Sequence, residues 1–366
     1  MAVADRMDIQ AAIEHWVRPE IRALSAYHVP DSSGLIKLDA MENPYSWPES
    51  LRQEWLELLH QTDVNRYPDP QGSELKQRLR ISMDIPKEAG LLLGNGSDEL
   101  IQMLALTLAG SDRVVLSVEP SFVMYRMIAL FAGMPYQGVP LNSRDFSLDL
   151  PALLNAIEQH QPAIIYLAYP NNPTGNLFDA AEIRQVIEAA PGLVIVDEAY
   201  APFTTASFMS ELGRYPNLLV MRTLSKLGLA GLRLGLLAGP KPWLEEIDKT
   251  RLPYNINTLT QVSAEFALRH GSVFDQQTQL ICQQRSQLFA ALDETDGITP
   301  YASDANFILV RMPAGQANQI HAAMRDQKVL VKNLNGAHPL LADYLRITIG
   351  TPAENQAAIH ALKAAL

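Results

Sequence analysis

Between about residues 36 and 250, short apolar runs rich in β-branched residues alternate with longer stretches of helical spacing. The candidate strands are Arg113–Val118, Ala163–Ala168, Leu193–Val196, Asn217–Met221 and Leu234–Ala238. The helical stretches around them are Glu99–Leu108, Phe122–Phe131, Pro151–Gln159 and Asp179–Ala189. Near-continuous apolar strands that alternate with helices are typical of a parallel sheet covered on both faces. The alternation therefore predicts an α/β fold.

The pattern changes beyond Pro253. A long helical stretch from Thr258 to Leu292 comes first. Three candidate strands follow, Asn306–Arg311, Val329–Asn333 and Tyr344–Ile349, together with two candidate helices, Ala317–Asp326 and a terminal helix from Ala353. We predict a large domain over residues 36–255, a connecting helix over 256–290 and a smaller α+β domain over 291–366. Residues 1–35 are expected to form an arm with one short helix that packs with the small domain.

The composition excludes several classes of protein. The chain carries 29 Lys and Arg against 40 Asp and Glu, a net charge of −11, which argues against a surface that binds nucleic acid. A single cysteine, Cys282, excludes an internal disulfide and a cysteine-rich metal cluster and fits a reducing compartment. No uncharged apolar run approaches about 18 residues, and the first ten residues lack the apolar core of a secretion signal. We therefore expect a cytoplasmic protein without a membrane span.

Polar residues follow three of the candidate strands at the points where these strands end. Asn172 follows the second strand, Asp197 follows the third and Lys226 follows the fourth. Taken singly, each has an ordinary explanation, as a turn residue, a helix cap and a solvated lysine. In a parallel sheet, however, the carboxyl ends of the strands share one edge, where ligands bind. We therefore expect the three side chains to converge.

Such a set of residues suits one chemistry, a Schiff base with pyridoxal phosphate. A lysine amine must reach the aldehyde carbon, and a carboxylate must keep the pyridine nitrogen protonated so that the ring accepts an electron pair. Neutral donors must hold the phenolate oxygen of the ring, and cations must hold the phosphate. These groups are present as Lys226, Asp197, Asn172, Tyr200 and Arg233, although Arg233 alone could equally pair with a surface carboxylate.

The sequence resembles the fold-type I pyridoxal phosphate-dependent aminotransferases from about residue 35 to the C-terminus. It carries Asn172-Pro173-Thr174-Gly175, Asp197-Glu198-Ala199-Tyr200 and Thr223-Leu224-Ser225-Lys226 in the order and spacing of that family. The resemblance implies a large domain with a mostly parallel seven-stranded sheet and a smaller α+β domain. It implies that Lys226 forms the Schiff base and then moves protons. Asp197 would pair with the pyridinium nitrogen, while Asn172 and Tyr200 would hydrogen-bond the ring oxygen.

The resemblance also assigns the groups that would hold the cofactor. Thr223, Ser225 and Arg233 would bind its phosphate, and a second phosphate cradle would contain the cofactor-binding residues Ser97 and Asp98. The last two lie in a glycine-rich turn that opens a helical stretch, whose free amides favour an anion. The loop from Lys226 to Arg233 is one residue shorter than in many relatives, so Arg233 would reach the phosphate if the chain turns tightly at Gly228. Phe122 would stack on the ring, although a core phenylalanine would also fit there.

A tyrosine outside these motifs implies an assembly. Tyr67, in Asn65-Arg66-Tyr67-Pro68, matches the position at which the family reaches the phosphate bound by the neighbouring subunit. The resemblance therefore implies a homodimer in which each subunit completes the active site of the other.

A closer resemblance is to the branch of this family that acts on histidinol phosphate. It rests on several segments: Leu38–Pro44, Gly96–Glu99, Thr223–Lys226 with Leu229–Arg233, Ser303–Phe307 and Leu345–Thr351. The implied reaction is transamination between histidinol phosphate and 2-oxoglutarate, giving imidazole acetol phosphate and glutamate, in histidine biosynthesis. Arg346 matches the arginine that binds the substrate phosphate. Tyr27, Asn43 and Lys332 are also expected to contact the substrate, with Lys332 in place of a more usual arginine.

Other functions remain open at this point. A broad aromatic-amino-acid aminotransferase and a threonine-phosphate decarboxylase share the scaffold. Arg346 does not distinguish them, because an arginine can bind a phosphate or a carboxylate. A pyridoxal phosphate-binding regulator without turnover is a further alternative. Such a regulator would need a winged-helix domain, for which 35 residues are too few, and a net charge of −11 is unfavourable for DNA.

Overall fold

The computed structural model describes residues 8–26 and 29–366 and divides the chain into two units, Met1–Ser33 and Gly34–Leu366. The described part of the first unit contains helices α1 (Ile9–Trp16) and α2 (Pro19–Arg22), whereas the sequence pattern predicts one helix. The separation lies before Pro19, because a proline drives the preceding residue out of the helical region, and Arg18 accordingly has ψ 136°.

The second unit contains two sheets and the remaining helices. Its strands are β1 (Ile36–Leu38), β2 (Gly90–Gly94), β3 (Val115–Glu119), β4 (Tyr136–Pro140), β5 (Ile164–Ala168), β6 (Leu193–Asp197), β7 (Leu218–Thr223), β8 (Gly235–Gly239), β9 (Thr299–Pro300), β10 (Phe307–Arg311), β11 (Val329–Asn333) and β12 (Tyr344–Thr348). Its helices are α3 (Glu49–His60), α4 (Ser73–Ser82), α5 (Ser97–Leu108), α6 (Met124–Phe131), α7 (Leu150–His160), α8 (Ala180–Ala189), α9 (Lys241–Asp248), α10 (Thr258–Arg269), α11 (Gly271–Asp293), α12 (Ala317–Asp326) and α13 (Pro352–Ala365).

The larger sheet has seven strands in the order β2-β8-β7-β6-β5-β3-β4. Strands β7, β6, β5, β3 and β4 pair in parallel, and β8 is antiparallel to both β7 and β2. The predicted α/β fold with a mostly parallel sheet is therefore confirmed. The apolar pattern does not identify β2 or β4, because Gly-Leu-Leu-Leu-Gly and Tyr-Gln-Gly-Val-Pro contain glycine and proline and few β-branched residues.

Both faces of the large sheet are buried, as β6 illustrates. Val194 and Val196 pack into one apolar cluster, while Leu193 and Ile195 pack into another on the opposite face. All four side chains are inaccessible to solvent, which accounts for the continuous apolar run of this strand. Because the strand is fixed on both faces, the position of Asp197 at its carboxyl end is fixed as well.

The smaller sheet has the order β1-β11-β12-β10-β9, with β1 and β11 parallel and the other pairs antiparallel. The predicted single helix from Thr258 to Leu292 is wrong, because α10 and α11 are separated at His270 (φ −106°, ψ 34°), next to Gly271. The predicted domain limits at residues 36–255, 256–290 and 291–366 stay a prediction. In the described ranges, no helix combines the length and apolar character that a membrane span requires.

Candidate active site

The carboxyl ends of β5, β6 and β7 border a cavity of about 410 Å³. Because β8 runs antiparallel, the chain that enters it reaches the same edge and brings Arg233 there. Ten residues predicted from the sequence line this cavity: Ser97, Asp98, Phe122, Asn172, Asp197, Tyr200, Thr223, Ser225, Lys226 and Arg233. The expected convergence of polar side chains at one edge of the sheet is thus present.

Asp197 lies at the base of the cavity and is buried. Its Oδ2 accepts a hydrogen bond from Tyr125 Oη (2.6 Å), and its Oδ1 accepts one from the amide of Ala199 (3.1 Å). Burial raises the pKa of Asp197 to about 6, and the two hydrogen bonds partly oppose this rise. A carboxylate in this position can pair with a cationic ring nitrogen, whose charge would favour the ionised form further.

Tyr125 is a site residue that the sequence reasoning missed. It lies three positions after Phe122, and the two rings meet edge to face at 5.5 Å. Its other face stacks on Tyr166 at 4.5 Å. Tyr125 therefore orients Asp197 from a rigid aromatic cluster. No local signal marks this residue, because Phe122 precedes α6 and a tyrosine on a helix face resembles an ordinary core residue.

Tyr125→Phe is expected to weaken cofactor binding most strongly at low pH. Loss of the hydrogen bond to the carboxylate should raise the pKa of Asp197 above its present value of about 6, so that more of it is protonated between pH 6 and 7. A protonated Asp197 cannot pair with a cationic ring. Titrations of the apoprotein with pyridoxal phosphate should show a variant-to-wild-type ratio of Kd values that grows from pH 8 to pH 6. A ratio that is constant with pH, or an equal effect of Tyr301→Phe outside the cavity, would contradict this role.

Lys226 points into the same cavity and is half-buried. Its Nζ donates to the carbonyl oxygen of Ala40 at 3.3 Å and lies 5.9 Å from the centroid of the Tyr200 ring. Burial, together with the nearby charge of Arg346, lowers the pKa of Lys226 to about 8. Its amine is therefore neutral, and nucleophilic, in a useful fraction of molecules near neutral pH.

An anion cradle faces this lysine at the first turn of α5. Gly96 has φ +83°, and a Cβ there would lie 2.5 Å from the guanidinium of Arg233. Gly235 on β8 is equally constrained, since a Cβ would lie 2.7 Å from the amide nitrogen of Ser97. One oxygen of Asp98, Oδ1, is buried without a hydrogen-bond partner, and this carboxylate does not itself favour an anion. Free amides, a guanidinium and hydroxyl groups in this arrangement suit a phosphate.

The hydroxyl groups of the cradle come from the end of β7. Thr223 Oγ1 donates to Ser225 Oγ at 2.9 Å, and Arg233 Nη1 lies 3.5 Å from the same Ser225 oxygen. Arg233 Nη2 also lies 3.4 Å from Asp98 Oδ2. The short loop does turn tightly at Gly228, which has φ +118°. Arg233 therefore reaches the cradle in spite of the missing residue.

Arg346 lies on β12 and is buried beside the cavity. Its Nη1 donates to Asn172 Oδ1 at 2.5 Å, and its Nη2 donates to the carbonyl oxygen of Asp39 at 2.9 Å. Lys332 is opposite Arg346 in the pairing of β11 with β12 and does not line the cavity. Asn43 instead donates to the carbonyl oxygen of Leu227 (3.1 Å), so it supports the loop that follows Lys226.

Two predicted site residues lie elsewhere. Tyr67 is 79% exposed and stacks on Tyr254 with ring centroids 4.3 Å apart, and it does not line the cavity of its own subunit. Tyr27 lies outside the described residues. The substrate roles of Tyr27, Asn43 and Lys332 stay predictions.

A nucleophilic lysine, a buried carboxylate and an anion cradle at the ligand-binding edge of an α/β sheet define an enzyme that holds a phosphate-bearing cofactor for chemistry at an amine. The family model for aminotransferase class I and II matches residues 33–362. This chain belongs to the class I and II aminotransferase family.

Named relatives extend the comparison. Histidinol-phosphate aminotransferase 2 of Nitrosococcus oceani is 58% identical over 352 residues, which are 96% of this chain and 98% of that protein. Histidinol-phosphate aminotransferase 2 of Cupriavidus pinatubonensis is 51% identical over 97% of both chains. The crystal structure of histidinol-phosphate aminotransferase from Sinorhizobium meliloti in complex with pyridoxal-5′-phosphate superposes with a TM-score of 0.84, covering 95% of this chain and 96% of that chain. At 23% identity, this structure shows the fold alone.

Proposed function

We propose that this chain catalyses transamination between histidinol phosphate and 2-oxoglutarate, with imidazole acetol phosphate and glutamate as products, in histidine biosynthesis. The reaction type is inferred from one observation, that Lys226, Asp197 and the anion cradle meet in one cavity. The substrate is inferred from relatives that share up to 58% identity over nearly the whole chain. Arg346, buried beside the cavity, supplies a planar cation for the substrate phosphate. The cytoplasm remains the proposed location.

The cofactor is pyridoxal phosphate, and the residues present fit it. The anion cradle would hold the phosphate, and Asp197 would hold a proton on the ring nitrogen through its carboxylate. Phe122 lines the cavity where it would cover one face of the ring, while Asn172 and Tyr200 would donate to the ring oxygen. When bound, the cofactor supplies an aldehyde for the substrate amine and a ring that accepts the electron pair released at Cα.

Lys226 would perform the proton transfers. Its neutral Nζ, when freed by the substrate amine, would take the proton from Cα of the donor and would deliver it to the carbon that carries the aldehyde group. An amine with a pKa of about 8 is suited to both steps, because it is neither fully protonated nor a weak base near pH 7.

The rate of cofactor uptake by the apoprotein should follow the neutral fraction of Lys226. With a pKa of about 8, roughly one tenth of the amine is neutral at pH 7 and roughly nine tenths at pH 9. Stopped-flow measurement of the visible absorption band should therefore show about a tenfold increase that levels off near pH 9. A lysine of ordinary pKa would give a rate still rising tenfold per pH unit, and that result would refute the depressed value.

The active site is proposed to require a homodimer. Tyr67 is 79% exposed, lies outside the cavity of its own subunit and stacks on Tyr254, and Leu252 is 70% exposed. Exposed aromatic and aliphatic side chains of this kind are typical of subunit interfaces. Tyr67 would cross to the phosphate of the partner subunit, as the family resemblance implies.

Loss of the Tyr67 hydroxyl should weaken cofactor binding without changing the assembly. Tyr67→Phe is expected to raise the Kd for pyridoxal phosphate by about ten- to a hundredfold, the effect of losing one hydrogen bond to a charged group. Sedimentation should show a dimer in both proteins. Tyr254→Phe, which alters the neighbouring ring, is the matched control. A monomeric wild-type protein with full activity would contradict the shared site.

The proposed substrate is tested by mixing the cofactor-loaded enzyme with histidinol phosphate and, separately, with phenylalanine. A fast change in cofactor absorbance with the first and a slow one with the second supports the proposal. Equal rates would indicate a broad aromatic aminotransferase instead. Release of carbon dioxide from threonine phosphate, without need for a 2-oxo acid, would indicate the decarboxylase.

A further inference from the structure

The segment Ala40–Glu42 forms part of the cavity wall beside Lys226. Three hydrogen bonds fix its backbone. The carbonyl of Ala40 accepts from Lys226, the amide of Met41 donates to Thr348 Oγ1 (3.0 Å), and the carbonyl of Met41 accepts from Asn306 Nδ2 (3.0 Å). The segment is therefore tied both to the reactive lysine and to the smaller sheet.

The backbone of this segment is also strained. Met41 is buried and has φ +52°, in the left-handed region that residues other than glycine seldom adopt. Such conformations persist only where the surroundings enforce them, and they cluster at ligand-binding positions. The strain sets the direction in which the next residue, Glu42, leaves the chain, and Glu42 lines the cavity.

In the described part of the chain, the carboxylate of Glu42 is fixed by an interaction at only one of its two oxygen atoms. Its Oε2 accepts a hydrogen bond from Lys37 Nζ at 2.5 Å, and the same ammonium lies 3.2 Å from Asp39 Oδ1. The side chain is 50% exposed, so the ion pair adds little to stability. Among the described residues, no hydrogen bond reaches Oε1 of Glu42. A hydrogen-bond acceptor thus faces the cavity, which is also lined by the basic residues Lys226 and Arg233.

We propose that Glu42 determines specificity by accepting a hydrogen bond from the ring N–H of an imidazole-bearing amino donor. This inference rests on the proposed function. Such a donor has a phosphate at one end and an imidazole at the other. The Glu42 carboxylate repels the phosphate and attracts the imidazole, which carries an N–H and has a pKa of about 6.5. A phenyl ring offers no donor, so its binding would cover the free oxygen of this carboxylate without supplying a hydrogen bond, which is how a polar site rejects an apolar analogue.

The test compares two donors that differ only in the ring, histidinol phosphate and phenylalaninol phosphate. The wild-type enzyme should prefer histidinol phosphate in kcat/KM. Glu42→Gln should lower that preference by about tenfold or more, and Glu42→Leu should lower it further, since a hydrogen bond to a charged group is replaced first by a neutral one and then by none. Glu49→Gln is the matched control, because Glu49 is an exposed glutamate that pairs with Arg52 and does not line the cavity.

The outcomes separate this inference from the function on which it rests. If the wild-type enzyme uses histidinol phosphate and phenylalaninol phosphate with equal kcat/KM, the proposed role of Glu42 is wrong, and no variant is needed to show it. Equal losses with both donors in Glu42→Gln and Glu42→Leu would also overturn it, because a purely structural role affects both. A wild-type enzyme inactive with histidinol phosphate refutes the proposed function itself. The visible cofactor band reports whether each variant is folded and loaded.

Discussion

Lys226→Ala is expected to lower kcat by at least about 10⁴-fold and to abolish the visible absorption band of the lysine-bound cofactor. Both effects have one cause, because the same amine attaches the cofactor and moves the proton between substrate and cofactor carbon. The measurement is the absorbance spectrum of the reconstituted protein together with single-turnover kinetics on glutamate. Pyridoxal phosphate should still bind non-covalently, since the anion cradle and Asp197 remain.

Lys249→Ala provides the control for this experiment. Lys249 is an exposed lysine that pairs with Glu246 at the surface, so its loss should leave the absorbance band and kcat unchanged. Wild-type turnover in Lys226→Ala would mean that another base moves the proton, and the proposed mechanism would be wrong.

Asp197→Asn is expected to lower kcat by on the order of 10²–10³-fold, the usual loss when one preorganised electrostatic group is removed. Asparagine keeps the shape and can still accept from Tyr125, so the fold and cavity should persist. It cannot hold the ring nitrogen in its protonated form, and the ring then accepts the electron pair from Cα poorly. Hydrogen exchange at Cα of glutamate, measured with each variant in heavy water, isolates this step.

Asp112→Asn is the matched control, because Asp112 is exposed and lies outside the cavity. Asp197→Glu should recover only part of the rate, since the longer side chain displaces the carboxylate from Tyr125. Exchange at Cα that is as fast in Asp197→Asn as in the wild type would show that the carboxylate has no electronic role.

The sequence pattern identified the strands that lie in the middle of the large sheet and missed two at its ends. Strands β5, β6 and β7 are buried on both faces. Such strands are recognisable in the sequence because nearly every residue in them is apolar. Strand β2 is buried but begins and ends with a glycine and has no β-branched residue, and β4 contains Gly138 and Pro140 and is only partly buried. The break between α10 and α11 was missed because stretches of helical spacing lie on both sides of His270 and Gly271.

The site was predictable where its residues follow strand ends and less so elsewhere. Asp197, Lys226 and Asn172 could be placed because each is close in sequence to a strand whose direction was known. Tyr125 and Glu42 were not identified, since nothing local distinguishes a tyrosine on a helix face or a glutamate in a loop from an ordinary surface or core residue. Their importance arises from contacts with residues far away in the chain.

By itself, the sequence determined the α/β class, the family resemblance and the set of groups at the carboxyl edge, because these depend on local apolar periodicity and on motifs a few residues long. Only the tertiary structure decided which side chains touch. Arg346 meets Asn172, and Tyr125 meets Asp197, across separations of 174 and 72 residues. Such contacts follow from the order β7-β6-β5 and from how the helices and the smaller sheet pack, which non-local burial fixes and no local pattern encodes.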